Sequence, residues 1–108
     1  MAYHILVKFN VPKKYRNSFI AEAQKDAYSS LKNEPGTLQF EIIEDENELS
    51  IIYLHEVYRS KRSFEEHCRG EAFNIFFDAI SEYCAAPEFL CKGNRLRWVK
   101  PEAEMITQ

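Results

Sequence analysis

The sequence predicts a ferredoxin-like α+β domain, in which a four-stranded antiparallel sheet carries its helices on one face. Two observations support this class: strand and helix patterns follow the order βαβ twice, and no linker separates the two halves. A chain of 108 residues has the length of one domain. We place this domain at residues 1–100 and a polar tail at 101–108.

The first half combines a strand, an amphipathic helix and a second strand. Residues 3–9 are rich in β-forming residues and alternate in polarity. Pro12 marks a helix start, and apolar residues then recur at every fourth position: Tyr15, Phe19, Ala23, Ala27 and Leu31. The 33–36 segment contains Pro-Gly and ends this helix. Alternation over 37–44 predicts the second strand.

The second half repeats this order with an additional short helix. A strand is predicted over 49–58, followed by a short helix within 60–69 that Ser60 or Ser63 can cap. Apolar residues at helical spacing predict a longer helix over 71–85. The last strand is predicted at 94–99.

One face of the predicted sheet is left without helices. In the second strand, Leu38, Phe40 and Ile42 are expected to point towards the helices. The residues expected on the open face are Thr37, Gln39, Glu41, Ile43, Tyr53 and His55. Part of this face is too apolar to remain in water, and a second copy packed sheet against sheet is the simplest cover. We therefore predict a homodimer.

Composition excludes several classes of partner. A net charge of −3 without clustered Lys and Arg argues against nucleic-acid binding. No run approaches the roughly 20 apolar residues of a membrane span. Cys68, Cys84 and Cys91 are odd in number and form no Cys-x-x-Cys pair, which argues against a disulfide framework or zinc knuckle and favours the cytoplasm. No nucleotide-binding glycine pattern is present, and the sequence requires no cofactor.

The short helix carries the main candidate for catalysis. Phe64, His67 and Cys68 have i, i+3, i+4 spacing, which places the imidazole on the inward face. A neutral imidazole can act as a general base or hydrogen-bond a substrate hydroxyl group. Glu56 is the candidate that orients His67, and Tyr58 the candidate donor to a bound oxygen atom. Alternatively, His67 bonds Glu56 and only pins the strand to the helix.

Three phenylalanines are the candidate substrate-binding residues. Phe64, Phe73 and Phe76 can line a pocket, although aromatic residues at helical spacing more often form core. On the other sheet face, His4 and His55 with Glu41 leave open a metal site across a dimer, which we disfavour. We therefore predict no metal.

Two segments resemble the antibiotic biosynthesis monooxygenase family. Glu34–Glu41, with the sequence EPGTLQFE, is similar to that family's EPGCLRFEV-type segment. The run from Tyr53 to Phe73, with YLHEVY, FEEH and GEAF, resembles the family's strand-and-helix motif. The resemblance extends over roughly residues 3–100, and Glu56, Tyr58, His67 and Phe73 match its motif.

The resemblance implies a dimeric α+β barrel with a small cavity between sheet and helices. It also implies oxygen-dependent oxidation of quinol-like or polycyclic aromatic substrates without metal or flavin. The segment after His67 lacks the family's second histidine. Haem-degrading relatives have tryptophan at the His67 position and a haem-ligating histidine near Phe77, so haem degradation is disfavoured.

The function predicted from sequence is a cofactor-independent monooxygenase that acts on a small aromatic or quinol-type substrate. Its partners would be this substrate and O2. The alternatives are a non-redox isomerase of a small oxygenated metabolite on the same scaffold and a non-catalytic ligand-binding dimer. The fold alone does not choose among them.

Overall fold

A computed structural model describes residues 1–99, which form a four-stranded sheet with three helices. The elements are β1 (Tyr3–Asn10), α1 (Arg16–Asn33), β2 (Thr37–Glu44), β3 (Ile51–Tyr58), α2 (Lys61–Cys68), α3 (Glu71–Ile80) and β4 (Glu88–Asn94). A short 3-10 turn at Lys13–Tyr15 precedes α1. The predicted tail at 101–108 lies outside the described residues.

The sheet confirms the predicted ferredoxin-like class. Its strand order is β2-β3-β1-β4, and every neighbouring pair is antiparallel. In the central strand β1 the alternate residues Tyr3, Ile5, Val7 and Phe9 are buried. They form the core together with Phe19 of α1 and Phe76 of α3. Burial of alternate residues on one face is the pattern that covering helices produce.

The buried face of α1 differs from the predicted one. Phe19 and Ala23 are buried as expected, but Leu31 is 45% exposed, and Asp26 and Ser30 are buried instead. Four residues rotate a helix by about 40° more than one full turn. Residues that recur strictly at every fourth position therefore move step by step away from the face that packs on the core. The observed spacing of i, i+4, i+7 and i+11 stays on it.

In β2, a register shift between Thr37 and Gln39 reverses two predicted orientations. Thr37 was expected on the open face and is buried, whereas Leu38 was expected inside and is 50% exposed. Beyond the shift, Phe40 is buried as predicted. One extra residue at such a bulge changes which face a side chain takes.

The segment after α3 corrects the prediction for the second half. The helix ends at Ile80 rather than 85, and the last strand is Glu88–Asn94 rather than 94–99. β4 is an edge strand whose residues are mostly exposed, so its sequence lacks the alternation that marks a half-buried strand. Leu96 and Trp98, which lie in the segment predicted as the last strand, are 91% and 64% exposed.

The open sheet face carries polar and apolar side chains together. His4, Leu6, Gln39, Ile43 and His55 lie on it. Within residues 1–99, no helix combines the length and the apolar character that crossing a membrane requires.

Gly36 lies where the turn before β2 meets α2, and we expect Gly36→Ala to destabilise the protein. A Cβ at this position would lie 2.4 Å from Ser63 Oγ and 2.5 Å from Ser63 Cβ. Since overpacking of this kind costs about 1–3 kcal/mol, the free energy of unfolding in urea should fall by that amount.

Gly93 in β4 provides the matched control. A Cβ there has no heavy atom within 4 Å, so Gly93→Ala should leave the free energy of unfolding close to wild type. Ser63→Gly removes both clashing atoms and should restore most of the stability in the Gly36→Ala background. A Gly36→Ala protein as stable as wild type would contradict this account.

Candidate active site

A cavity of about 330 Å³ lies between the sheet and the helices. This volume is at the lower end of the range of about 300–1,000 Å³ typical of ligand pockets. The floor is formed by β1 and β3, and α2 and α3 form the wall. The exposed Phe89 and the adjacent Ala86 and Pro87 also line it, which places its mouth beside the start of β4.

His67 lies in the wall of this cavity, 3% exposed, as the spacing of α2 predicted. α2 begins at Ser60, whose Oγ accepts a hydrogen bond from Ser63 N at 3.2 Å. The imidazole packs against the rings of Tyr58 and Phe73, with centroid distances of 5.3 and 5.5 Å. These contacts fix the ring between strand and helix.

Glu34 holds the imidazole, a role that the sequence had suggested for Glu56. His67 Nδ1 lies 2.8 Å from Glu34 Oε1, and Thr37 Oγ1 donates to the same oxygen at 2.7 Å. A carboxylate only accepts, so the imidazole proton is on Nδ1. In the neutral ring, Nε2 then carries the free lone pair, and it makes no hydrogen bond within residues 1–99. This nitrogen is the available base.

A second carboxyl group approaches His67 from α1. Ser30 Oγ lies 3.4 Å from His67 Nδ1 and donates to Asp26 Oδ1 at 3.0 Å. Asp26 is 4% exposed and lines the cavity. Burial raises the pKa of Asp26, while the nearby His67 and the hydrogen bond from Ser30 oppose that rise.

Glu56 and Tyr58 form a separate pair on β3. Tyr58 Oη donates to Glu56 Oε1 at 2.5 Å. Glu56 lines the cavity, but the described lining residues do not include Tyr58. Burial raises the pKa of Glu56 to about 7, although the Tyr58 hydrogen bond and His67 act in the opposite direction. Glu56 is therefore a carboxyl group that can hold or release a proton near neutral pH.

The three predicted substrate-binding residues, Phe64, Phe73 and Phe76, all line the cavity. Phe9, Phe77 and Phe89 add three further rings. The wall is thus mainly aromatic, and the polar groups lie at a few points, which is the usual composition of a small-molecule site. Their part in substrate binding stays a prediction.

Cys68 also lines the cavity, but its environment does not favour a nucleophile. Burial raises the pKa of the Cys68 thiol to about 11, and the nearby Glu56 contributes to the same rise. The thiolate is the reactive form, so Cys68 is a neutral thiol at physiological pH. Cys68, Cys84 and Cys91 are all free.

The histidines of the open sheet face bond to each other. Arg95 Nε donates to His4 Nε2 at 3.2 Å, and His4 Nδ1 lies 3.1 Å from His55 Nε2. His55 Nδ1 lies 3.2 Å from Glu41 Oε1. These contacts occupy the nitrogens that the disfavoured metal site would use. Over the described part of the chain, no group of three or more His, Cys, Asp or Glu residues is arranged to hold a metal ion.

Sequence reasoning found His67 but missed Asp26, Ser30 and Glu34. Asp26 and Ser30 lie three and seven positions after Ala23, so helical spacing places them on its buried face. Polar residues on such a face are a detectable signal of a buried polar network. Glu34 gave no such signal, because only folding brings it to His67, 33 positions later.

Comparisons with known proteins agree with this architecture. The profile of the antibiotic biosynthesis monooxygenase family matches residues 2–79. A candidate antibiotic biosynthesis monooxygenase from Nitrosomonas europaea superposes with a TM-score of 0.80 at 18% identity, over 88% of this chain and 99% of that chain. One from Caulobacter crescentus gives 0.82 at 18% identity, over 89% and 91%. Among proteins with curated functions, none matches.

These identities are low, so the solved structures support the fold alone. The assignment to a family rests on the profile match, because this match spans more than two thirds of the chain, from β1 to the last turn of α3. It includes both segments whose resemblance was noted in the sequence. The chain belongs to the antibiotic biosynthesis monooxygenase family.

Proposed function

We propose that this protein is a cofactor-independent monooxygenase that oxidises a small aromatic or quinol-type substrate in the cavity beside His67. The proposal rests on the protonation and the position of the imidazole. Glu34 fixes the proton on Nδ1, His67 lines an aromatic cavity, and Nε2 has no hydrogen-bond partner among residues 1–99. A base in hydrogen-bond reach of a bound hydroxyl group is the main requirement of this chemistry.

In the proposed reaction, His67 Nε2 removes a hydroxyl proton from the quinol. The resulting anion transfers one electron to O2, and the radical pair recombines to form a C–O bond at a ring carbon. The O–O bond then breaks, one oxygen stays on the ring, and the other leaves as water. A naphthohydroquinone plus O2 gives a hydroxynaphthoquinone plus water, so the substrate supplies all the electrons and no external reductant is needed.

Glu56 is proposed as the group that protonates the leaving oxygen. Its pKa of about 7 allows it to carry a proton at neutral pH. Tyr58, which the sequence suggested as a direct donor to oxygen, is a positioning residue in this proposal, because its hydroxyl donates to Glu56. Phe64, Phe73 and Phe76 are proposed to pack against the substrate ring.

The proposal is tested with 1,4-dihydroxynaphthalene, a menadiol-type quinol, under ¹⁸O2. We expect enzyme-dependent oxygen uptake and a hydroxylated quinone that contains one ¹⁸O atom, as measured by mass spectrometry. Formation of unlabelled quinone with hydrogen peroxide would identify an oxidase instead. Uptake no faster than that of the quinol alone, across a panel of phenols and quinols, would reject the redox proposal and favour the isomerase alternative.

The assembly and location stay predictions. A second copy that covers the open sheet face is the proposed partner, since Leu6 and Ile43 would otherwise face solvent there. The predicted cytoplasmic location follows only from cysteine usage.

A further inference from the structure

The polar groups that line the cavity are acidic or neutral. Asp26 and Glu56, 4% and 6% exposed, supply two carboxyl groups, and His67 supplies an imidazole that Glu34 holds from behind. The remaining polar lining group is the Cys68 thiol. No lysine or arginine belongs to the described lining. A ligand that enters with a negative charge would therefore find no lysine or arginine side chain in this low-dielectric lining.

The carboxyl groups also have unused hydrogen-bonding capacity. Tyr58 donates a hydrogen bond to one oxygen of Glu56. Ser30 donates one to one oxygen of Asp26. Within residues 1–99, the second oxygen of each group makes no hydrogen bond. Both oxygens keep some accessible surface, because neither is among the fully buried atoms that lack a partner, and ligand hydroxyl groups can supply their missing hydrogen bonds.

A positive charge does occur outside the cavity, near its mouth. Lys92 Nζ lies 4.4 Å from the centroid of the Phe89 ring, and Phe89 is an exposed lining residue. An acidic group at the outer end of a ligand can reach Lys92, whereas one beside the buried hydroxyl group meets Asp26 and Glu56. These protein charges therefore favour ligands with an acidic group at the outer end over ligands with an acidic group beside the buried hydroxyl group.

We propose, resting on the quinol chemistry above, that the cavity selects uncharged aromatic substrates with at least two hydroxyl groups. It rejects substrates that carry a carboxylate, sulfonate or phosphate next to a reacting hydroxyl group. Asp26 and Glu56 are the residues that determine this specificity.

Equilibrium binding without oxygen tests this proposal independently of turnover. The probes are 1,4-dihydroxynaphthalene and its 2-carboxylate, titrated calorimetrically under nitrogen at pH 8, where most of Glu56 is ionised. We expect wild type to bind the carboxylate more weakly by at least about tenfold. In Asp26→Asn combined with Glu56→Gln, the two dissociation constants should differ by less than about threefold.

The amide replacements keep an oxygen that can accept from Ser30 or Tyr58, and each single variant is measured as well. Asp78→Asn, which removes an exposed charge on α3, is the matched control and should keep the wild-type ratio. Equal affinities in wild type, tighter binding of the carboxylate, or no binding of either probe would overturn the proposal. Selective binding without oxygen uptake would instead retain it and reject the monooxygenase.

Discussion

Oxygen uptake by His67→Gln is expected to fall about 10²–10⁴-fold below wild type with 1,4-dihydroxynaphthalene, which is the usual contribution of a general base. Glutamine preserves polarity and approximate size, but it cannot accept a proton at neutral pH. Anaerobic binding of the quinol should change much less than turnover, since the aromatic wall is retained. An oxygen electrode measures turnover, and calorimetry measures binding.

His55→Gln is the matched control for this experiment. Like His67, His55 has a hydrogen-bonded carboxylate partner, Glu41, but this pair lies on the opposite face of the sheet. Its turnover should equal that of wild type. If His67→Gln keeps full activity, the imidazole is not the general base, and a lowered melting temperature would then identify it as a structural link between α2 and Glu34.

Glu56→Gln is expected to be more stable than wild type at alkaline pH. Burial raises the pKa of Glu56 from 4.5 to about 7, so between these values the folded protein keeps a proton that the unfolded chain has released. The free energy of unfolding of wild type therefore falls as pH rises through this window. The loss is complete above pH 7 and amounts to about 3 kcal/mol at about 1.4 kcal/mol per pKa unit.

The measurement is urea unfolding of both proteins at pH 5 and at pH 8.5. At pH 5 the two should be similarly stable, because protonated glutamate and glutamine are both neutral. At pH 8.5 the variant should be more stable by about 3 kcal/mol. Glu88→Gln, at an exposed position of β4, should show no such pH-dependent difference. A constant difference between wild type and Glu56→Gln at both pH values would exclude a buried, titrating Glu56.

The parts of the fold that could be predicted are those in which one face of an element is buried. β1 alternates cleanly because helices cover only one side of it, and α2 places His67 inward for the same reason. β4 could not be predicted, because an exposed edge strand has no buried face to impose a pattern. The bulge between Thr37 and Gln39 likewise leaves no mark in the sequence, which alternates in polarity throughout 37–42.

The candidate site was predicted only where its residues are close in sequence. Spacing within α2 predicted that the imidazole of His67 points inward, and His67 is 3% exposed. The partner of that base could not be derived, because both Glu34 and Glu56 are distant in sequence and only the three-dimensional fold decides between them. The raised pKa of Glu56 is equally a result of burial, which depends on the whole domain.

Because Glu34 holds His67, two properties of the pocket depend on different parts of the fold: the orientation of the imidazole and the shape of the cavity. The orientation of the imidazole depends on Glu34, at the junction between α1 and β2, whereas the cavity itself is lined by β1, β3, α2, α3 and the segment around the start of β4. A substitution among the lining phenylalanines can therefore change the shape of the cavity while the contact between Glu34 and His67 is kept.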